Sequence, residues 1–321
     1  MNTIPITFKR TRIPYTIMGG ERIDRIRKYV YPISIVLLTR KGRFYREAVL
    51  KDLAKYKNAE ILCITASESS FDIEALHDKF PGVKFLLLKA GISVGEKLNI
   101  GIDEAKSPFV LAMWDDMKIS SFNNLDMILK SGDLSGNLCT CPLLKGKKMQ
   151  TVPSVMVPGF LNNELKVANW FPKEEEVPTI FPFDYTGIYN KEKFLISGGF
   201  DYTLTNPYWQ KLDFGFRSYM WGETMLFTKK YSIQYLGNSY SEDSTPDESY
   251  KYFYLKNITV RFKRDKGVIP FSQFLKFIMH SDTGPLYAYQ EFKKVKKWVR
   301  INRYRFKQDA LRVIDLWDIT E

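Results

Sequence analysis

The sequence predicts an α/β fold in which a mixed, mostly parallel sheet of Rossmann type is flanked by helices. Two observations support this prediction. Short apolar runs alternate with segments whose apolar residues recur at helical spacing, an alternation typical of right-handed βαβ units. Each apolar run is also bounded by polar or turn-forming residues, among them Pro81-Gly82, a pair that ends a helix.

The predicted elements follow one another in order. Apolar runs predict four strands, at 33–38, 60–65, 83–88 and 109–113. Helical spacing predicts three helices between them, at 44–56, 71–80 and 95–105. A later helix, 208–222, starts after Asn206-Pro207, an N-cap followed by proline, and stops at Gly222. Two polar stretches are predicted loops: 173–178 and 239–249. The second is either a plain surface loop or a mobile lid.

Positive charge is concentrated at the two ends of the chain. The 321 residues include 48 Lys and Arg against 36 Asp and Glu, a formal net charge of +12. Seven bases lie in the first thirty residues, and eight lie in the stretch 293–307 with no acid among them. The chain therefore divides into a basic N-terminal extension (1–30), a nearly neutral α/β domain (31–250) and a C-terminal region (251–321) with a basic helix.

Cysteine usage and hydropathy predict a cytoplasmic protein. Cys63, Cys139 and Cys141 are an odd, sparse set that fits a reducing compartment better than a disulfide framework. With only His77 and His280 beside them, core packing explains the cysteines better than a zinc site does. The first residues have no signal-peptide core, and no apolar run approaches the ~20 residues that span a bilayer.

The most informative segment is the fourth predicted strand with its continuation, F-V-L-A-M-W-D-D-M-K-I (Phe109–Ile119). Asp115 and Asp116 directly follow the apolar run, and ligands of open α/β sheets bind at the carboxyl ends of strands. Mg²⁺ or Mn²⁺ carried by a diphosphate would compensate the charge of two adjacent carboxylates. The alternative is a solvated Asp-Asp turn after a core strand.

Further motifs surround W-D-D-M. The segment A-G-I-S-V-G-E-K-L-N-I-G-I-D-E-A (Ala90–Ala105) precedes it, while G-G-F-D (198–201) and the helix 208–222 follow it. In this order the features resemble nucleotide-sugar glycosyltransferases of the GT-A fold, especially family 2. Five residues of the first segment match that family's motif: Gly91, Ser93, Asn99, Gly101 and Ala105. The resemblance covers 32–237. It implies a nucleotide-diphosphate-sugar donor, Mn²⁺ or Mg²⁺ as cofactor, and transfer of the sugar to a glycan or glycolipid acceptor.

The resemblance also implies donor-side roles for individual residues. Asp116 aligns with the metal-binding last Asp of the family's Asp-X-Asp motif, while Asp115, at its variable place, contacts ribose or metal-bound water. The other donor-binding candidates lie at strand ends and on the helix 95–105: Thr39, Arg40, Glu68, Lys97 and Asn99. Glu68 either reads the base or faces solvent. Lys97 either meets a phosphate or is an exposed helix residue.

The acceptor-side helix departs from the family's pattern. When Arg217 is aligned with the family's helix Arg, Gln210 and Lys211 stand where Glu-Asp is usual, and Asp213 aligns with the acid two places later. An inverting enzyme needs a carboxylate that takes the proton of the acceptor hydroxyl. Asp213 is the predicted base, with Asp201 of G-G-F-D in reserve; otherwise Asp213 only pairs with Arg217 at i,i+4. Without a base, the alternative function is a catalytically silent nucleotide-sugar-binding protein.

A stripe of apolar residues runs along the basic C-terminal stretch: Phe292, Val295, Val299, Phe306, Ala310, Val313 and Trp317. Such a helix either lies on an anionic membrane, packs on the domain with its basic face in solvent, or binds nucleic acid. Nucleic acid is the least favoured partner because no recognised nucleic-acid-binding fold is present. The prediction is a protein peripheral on the inner membrane face, with a cell-envelope glycan or glycolipid as acceptor.

Overall fold

The structure is a computed structural model. It describes residues 13–20, 31–40, 46–66, 73–161, 164–280, 284–315 and 317. Glu68 lies outside the described residues, as does the beginning of two of the predicted helices, 44–56 and 71–80.

The strands are β1 (Tyr15–Gly19), β2 (Ile33–Leu38), β3 (Ala59–Ala66), β4 (Lys84–Leu88), β5 (Phe109–Trp114), β6 (Met117–Ile119), β7 (Cys139–Lys145), β8 (Val155–Leu161), β9 (Glu164–Trp170), β10 (Glu176–Pro178), β11 (Gly187–Asn190), β12 (Met225–Tyr235), β13 (Arg261–Lys263) and β14 (Lys266–Val268). Within the described residues, ten of them form one mixed sheet in the order β1-β4-β3-β2-β5-β11-β7-β12-β10, with β6 paired to β12 outside this path. The pairs β8–β9 and β13–β14 form separate two-stranded ribbons.

The centre of the sheet is parallel, as the alternating sequence pattern predicts. Strands β4, β3, β2 and β5 run in one direction, and their residues are almost all buried because helices cover both faces. In β2 and β5, Leu38 pairs with Trp114. The two strands therefore end at the same edge of the sheet, which brings the residues after each of them together.

The helices are α1 (Glu47–Leu53), α2 (Ile73–Lys79), α3 (Val94–Glu104), α4 (Phe122–Ser131), α5 (Lys191–Ser197), α6 (Pro207–Met220), α7 (Glu248–Phe253), α8 (Phe271–His280), α9 (Pro285–Asn302) and α10 (Ala310–Asp315). Local sequence explains the ends of those nearest the site. Ser93 and Glu96 form a capping box at the start of α3. Asn206 caps α6 ahead of Pro207, and the helix stops before Gly222, whose φ is +89°. No helix among the described residues is both long and apolar enough to cross a membrane.

Two segments that were not predicted to be strands contribute strands to the sheet. Residues 15–19 of the predicted N-terminal extension form β1, which pairs antiparallel with β4. The stretch 173–178, predicted to be a loop, ends in β10, which pairs antiparallel with β12. Both are short edge strands, and neither has the apolar run by which the central strands are recognised.

The C-terminal apolar stripe is buried in the protein itself. All seven of its residues belong to the core. Trp298 of α9 stacks on Trp221 at 5.9 Å between ring centroids, and Trp317 packs edge-on against Tyr219 at 4.8 Å. The interpretation in which this helix packs on the domain therefore accounts for the stripe. Because its side chains are buried in the core, the stripe itself cannot contact a membrane.

Gly215 allows α6 to lie directly against the chain that leads into the 183–185 turn. A β-carbon at this position would collide with the carbonyl oxygen of Ile180, a backbone atom that has no rotamer by which to move away. Gly136, by contrast, has ordinary helical dihedrals, and a β-carbon added there would meet no atom within 4 Å.

We expect Gly215→Ala to lower the free energy of unfolding by about 1–3 kcal/mol through overpacking. Gly136→Ala, the matched control, should leave stability nearly unchanged. Thermal unfolding followed by circular dichroism compares the two. Equal melting temperatures for both variants would show that α6 is not held this closely against residue 180.

Candidate functional site

The carboxyl ends of β2 and β5 and the end of β12 meet in one place. Arg40 and Asp116 each lie two residues beyond the paired residues Leu38 and Trp114. The backbone N–H of Leu236, just after β12, donates to the carbonyl of Asp116 over 2.7 Å. The strand-end prediction from the sequence is thus realised as a cluster of charged side chains at this edge of the sheet.

The guanidinium of Arg40 is the centre of the cluster. It donates to both oxygens of Asp116, with Nε–Oδ2 3.1 Å and Nη2–Oδ1 3.4 Å, and bidentately to Asp184 at 2.9 and 2.6 Å. Its plane lies over Trp114, 3.8 Å from the ring centroid. Burial acts to lower the pKa of Arg40, but the hydrogen bonds and charges of Asp184 and Asp116 outweigh it and raise the pKa above its ordinary value.

Asp184 reaches Arg40 through an unusual backbone. Asp184 and Tyr185 are consecutive non-glycine residues with left-handed φ values of 50° and 59°. Residues in this region cost free energy and cluster at functional sites, where surrounding contacts hold them. Here the indole of Trp114 donates to the Asp184 carbonyl over 2.8 Å, and the hydroxyl of Tyr235 donates to its carboxylate over 2.9 Å.

The other donor-side candidates lie in different surroundings. Thr39 and Asp115 are buried beside the cluster at the ends of β2 and β5. Lys97, on α3, is partly buried, which lowers its pKa. The amide of Asn99 exchanges two hydrogen bonds with the backbone of Phe200, at 2.7 and 2.8 Å, and so fastens the G-G-F-D segment to α3.

Gln210 occupies the position of the family's first acid, and its amide is fully engaged. Its Nε2 donates to the carbonyls of Asp201 and Leu204 and to the hydroxyl of Ser93, at 2.8–3.0 Å. Its Oε1 accepts from the Gly95 N–H and the Tyr185 hydroxyl. A carboxylate offers no N–H donors, so a Glu here could not bond these carbonyls. Gln210 is a structural tie between α6, α3 and the G-G-F-D segment.

Lys211 is the buried cation of a second ion pair. Both carboxylate oxygens of Glu242 lie 2.7 Å from its Nζ. Aromatic rings surround the ammonium group: Tyr185 at 4.7 Å, Tyr240 at 5.1 Å and Phe181 at 5.6 Å. The N–H of Asp184 also faces Glu242, at 3.4 Å. This pair therefore borders the Arg40 cluster, and it pins residues 239–247 over the start of α6. The predicted loop is 239–249, and its last two residues instead begin α7 because Asp247 caps that helix.

Asp213 and Asp201 belong to a third, closed network around Lys256. The ammonium group of Lys256 lies 2.6 Å from Asp201 and 2.9 Å from Asp213, and the amide of Asn257 donates to Asp213 over 2.8 Å. The predicted i,i+4 pair of Asp213 with Arg217 is present at 3.3 Å, and all of these side chains are almost completely buried. Burial acts to raise the pKa of Asp201, but Lys256 outweighs it and the net direction is down.

A divalent metal fits the donor set at Asp116, although the described residues contain no group of three His, Cys, Asp or Glu side chains that could hold an ion. Mg²⁺ and Mn²⁺ in phosphate-binding sites take one or two protein carboxylates and complete their coordination with phosphate oxygens and water. Asp116 provides such a carboxylate at a strand end, and a cation, the Arg40 guanidinium, already bridges it to Asp184.

Three charged residues of this region were not found by sequence reasoning: Asp184, Glu242 and Lys256. Asp184 lies in F-P-F-D-Y-T-G, which has neither a helical nor a strand period, and Glu242 lies in a polar loop. The sequence held one signal, for Glu242: Lys211 stands at a position that is acidic in the family that the chain resembles. If a lysine at this position is buried, it requires a carboxylate partner from elsewhere in the chain.

No protein-family model and no curated protein sequence matches the chain. Among solved structures, GalNAc-T7 with UDP, GalNAc and Mn²⁺ is similar at a TM-score of 0.50 and 14% identity, covering 84% of this chain and 57% of that one. S. aureus TarS is similar at a TM-score of 0.49 and 16% identity, covering 90% of this chain and 46% of that one. The chain thus spans about half the length of each of these proteins.

The likeness to GalNAc-T7 extends over most of the present chain. It agrees with the order of strands and helices described above and with the fold that the sequence motifs imply. The chain therefore has the GT-A fold of nucleotide-sugar glycosyltransferases.

Proposed function

We propose that the protein is a glycosyltransferase that moves a sugar from a nucleotide-diphosphate sugar to a glycan or glycolipid acceptor with the assistance of a metal. The main support is the meeting of Arg40 and Asp116 at the carboxyl ends of β2 and β5. This is the edge of an open α/β sheet where ligands bind, and the two side chains suit a phosphate and a cation respectively.

On the donor side, Asp116 would hold Mn²⁺ or Mg²⁺, which as a Lewis acid would stabilise the leaving nucleoside diphosphate. Thr39, Arg40 and Asp115 line the same strand ends, and we propose that they contact the nucleotide. Lys97 and Asn99 of α3 complete the proposed donor side, Asn99 by positioning the G-G-F-D segment. UDP is the first nucleotide to test because the similar GalNAc-T7 was crystallised with it.

The acceptor base is proposed among three carboxylates. Asp213 and Asp201, the residues predicted from the sequence, are enclosed with Lys256 and are 0% and 3% exposed in their side chains. Glu242 borders the Arg40 cluster and lies on a segment outside the sheet and helices. Its position next to the proposed donor site supports Glu242, whose side chain is 5% exposed and held by Lys211, as the first candidate base; under this proposal Asp213 and Asp201 are structural residues.

The second candidate function is a nucleotide-sugar-binding protein without turnover. One observation favours it: Gln210 and Lys211 replace the acid pair of the family's helix, and both are committed to buried hydrogen bonds. Hydrolysis of the donor separates the two functions, because a binding protein shows affinity for the nucleotide sugar and no release of sugar.

We also propose that the protein docks on an anionic membrane surface, through residues other than the buried stripe. Five exposed apolar side chains lie on α8 and on the first turns of α9, and together they are called the α8–α9 patch: Phe271, Leu275, Leu286, Tyr287 and Tyr289. The ring of Phe274 contacts both Phe271 and Tyr289, which makes the patch continuous between the helices. The exposed bases of α9 continue it, as expected of a surface that meets anionic lipid.

Asp116→Asn should abolish metal-dependent binding of the nucleotide and leave the fold intact, because a polar exchange at a strand end removes no core volume. A thermal-shift screen of UDP-, GDP-, CMP- and dTDP-sugars with Mn²⁺ first identifies the nucleotide. Calorimetry with that nucleotide then compares the variant with the wild type. Unchanged affinity would show that Asp116 is not a metal ligand.

Asp213→Asn and Glu242→Gln each leave a buried lysine with less counter-charge, so both should lower stability, but only Glu242→Gln should lower the turnover of the folded protein. Asp213→Asn leaves Lys256 and Arg217 short of a buried counter-charge, so we expect a loss of about 3–5 kcal/mol in the free energy of unfolding. Glu242→Gln should lower turnover about 10²-fold or more with donor affinity retained, since a general base contributes about 10²–10⁴-fold. Donor hydrolysis and chemical denaturation of both variants measure this. The opposite pattern, turnover lost in Asp213→Asn alone, would return the base to α6.

Replacing Phe271 and Leu275 by Ser should weaken binding to anionic vesicles about tenfold, and moderate salt should weaken it further because exposed charges are screened. Phe160→Ser with Phe171→Ser, which removes exposed rings at the β8–β9 ribbon, is the matched control and should have no effect. Sedimentation with phosphatidylserine vesicles makes the comparison. Point substitutions are preferred to removal of 290–321, which would expose the core. Equal loss in both double variants would refute the assignment of the α8–α9 patch.

A further inference from the structure

Arg40 is bonded to Asp116, the carboxylate that is proposed to hold the metal. Both oxygens of Asp116 accept hydrogen bonds from the Arg40 guanidinium, and the same guanidinium is bidentate on Asp184. The two sides are unequal. The contacts with Asp184 are 2.6 and 2.9 Å, whereas those with Asp116 are 3.1 and 3.4 Å. The Asp116 side is therefore the one that can be released at lower cost.

The charges of the cluster indicate what could release it. Arg40 and Lys211 supply two positive charges against the carboxylates of Asp116, Asp184 and Glu242. Counted over the residues that the structure describes here, these five side chains carry a formal charge of −1, and Asp115 is buried next to them. A diphosphate adds more negative charge, so it is repelled unless a cation accompanies it. Asp116 is also the more accessible carboxylate, 8% exposed in its side chain against 1% for Asp184.

We propose that Arg40 is an exchangeable counter-ion of Asp116. It neutralises Asp116 until a divalent metal binds this carboxylate; the guanidinium then gives up Asp116 and keeps Asp184. The N–H donors so released become available to an oxygen of the incoming diphosphate. The last step rests on the proposed function, whereas the competition between Arg40 and the metal does not.

The surroundings of Arg40 are suited to such an exchange. Asp184, held in its left-handed conformation, and the ring of Trp114 keep the guanidinium in place when one partner leaves. Arginine suits this role because its planar fork can stay bidentate on one carboxylate while its remaining N–H groups bond another, and a lysine ammonium group lacks that fork. About a fifth of the Arg40 side chain is exposed, so a ligand can reach it from solvent.

The test is a titration of the full chain with Mn²⁺ alone, followed by electron paramagnetic resonance. If Arg40 competes for Asp116, Arg40→Met should bind Mn²⁺ about tenfold or more tightly than the wild type. Lys211→Met is the matched control: it removes a positive charge from the same cluster, but Lys211 makes no bond to Asp116. The control should strengthen Mn²⁺ binding clearly less than Arg40→Met does. Arg40→Lys, which keeps the charge, replaces Arg40→Met if the latter fails to fold, and should also bind Mn²⁺ more tightly than the wild type.

A second titration, with UDP in the presence of Mn²⁺, should show the opposite direction, with weaker binding in Arg40→Met. Equal Mn²⁺ affinity in wild type and Arg40→Met, or an increase no larger than that of Lys211→Met, would overturn the proposal. Binding of UDP that is equally tight with Mn²⁺ and with EDTA would also overturn it, because Arg40 would then serve in place of the metal. If no nucleotide binds, the glycosyltransferase proposal fails while the Mn²⁺ titration still decides the competition.

Discussion

The pairing of buried charges is the constraint on which this site depends. Three cations, Arg40, Lys211 and Lys256, lie in or near the interior, and each is matched by carboxylates from distant parts of the chain. An unpaired charge at such depth would cost several kcal/mol, so the elements that supply the partners have little freedom to move apart. Arg40 thereby joins the ends of β2 and β5 to the 183–185 turn. Lys211 joins α6 to the segment after β12.

Helix α6 shows how this constraint bears on chemistry. The side chains that would be expected to face an acceptor instead hold the protein together: Gln210 fastens α3 and the G-G-F-D segment, and Asp213 with Arg217 closes the Lys256 network. Presenting Asp213 to a substrate would break buried ion pairs, and presenting Glu242 would break its pair with Lys211. Lys211 reverses the charge usual at its position, and Glu242 restores a carboxylate from a loop. If Glu242 is the base, as proposed, the departure of the sequence from the family's pattern is compensated in space.

Much of the fold could be predicted from the sequence, because it depends on regular periods. The central strands, the helices between them and the caps of α3 and α6 all follow from local patterns. The meeting of Arg40 with Asp116 follows from the rule for strand ends. Asp184 could not be found in this way, because it reaches the site through a left-handed turn in a segment without period. For the C-terminal stripe, amphipathicity predicted correctly that one face is covered, but it carries no information on what covers it.

The distribution of charge separates two kinds of electrostatic interaction in this protein. The ion pairs around Arg40, Lys211 and Lys256 are buried, so salt screens them weakly. The bases on the exposed face of α9 lie in water, where their attraction to an anionic surface falls within a Debye length of ~8 Å at physiological ionic strength. If the proposed docking is correct, ionic strength should control membrane binding and leave the geometry of the site unchanged. Because α9 packs on the same domain through Trp298 and Trp221, the proposed docking surface and the proposed donor site belong to one packed unit.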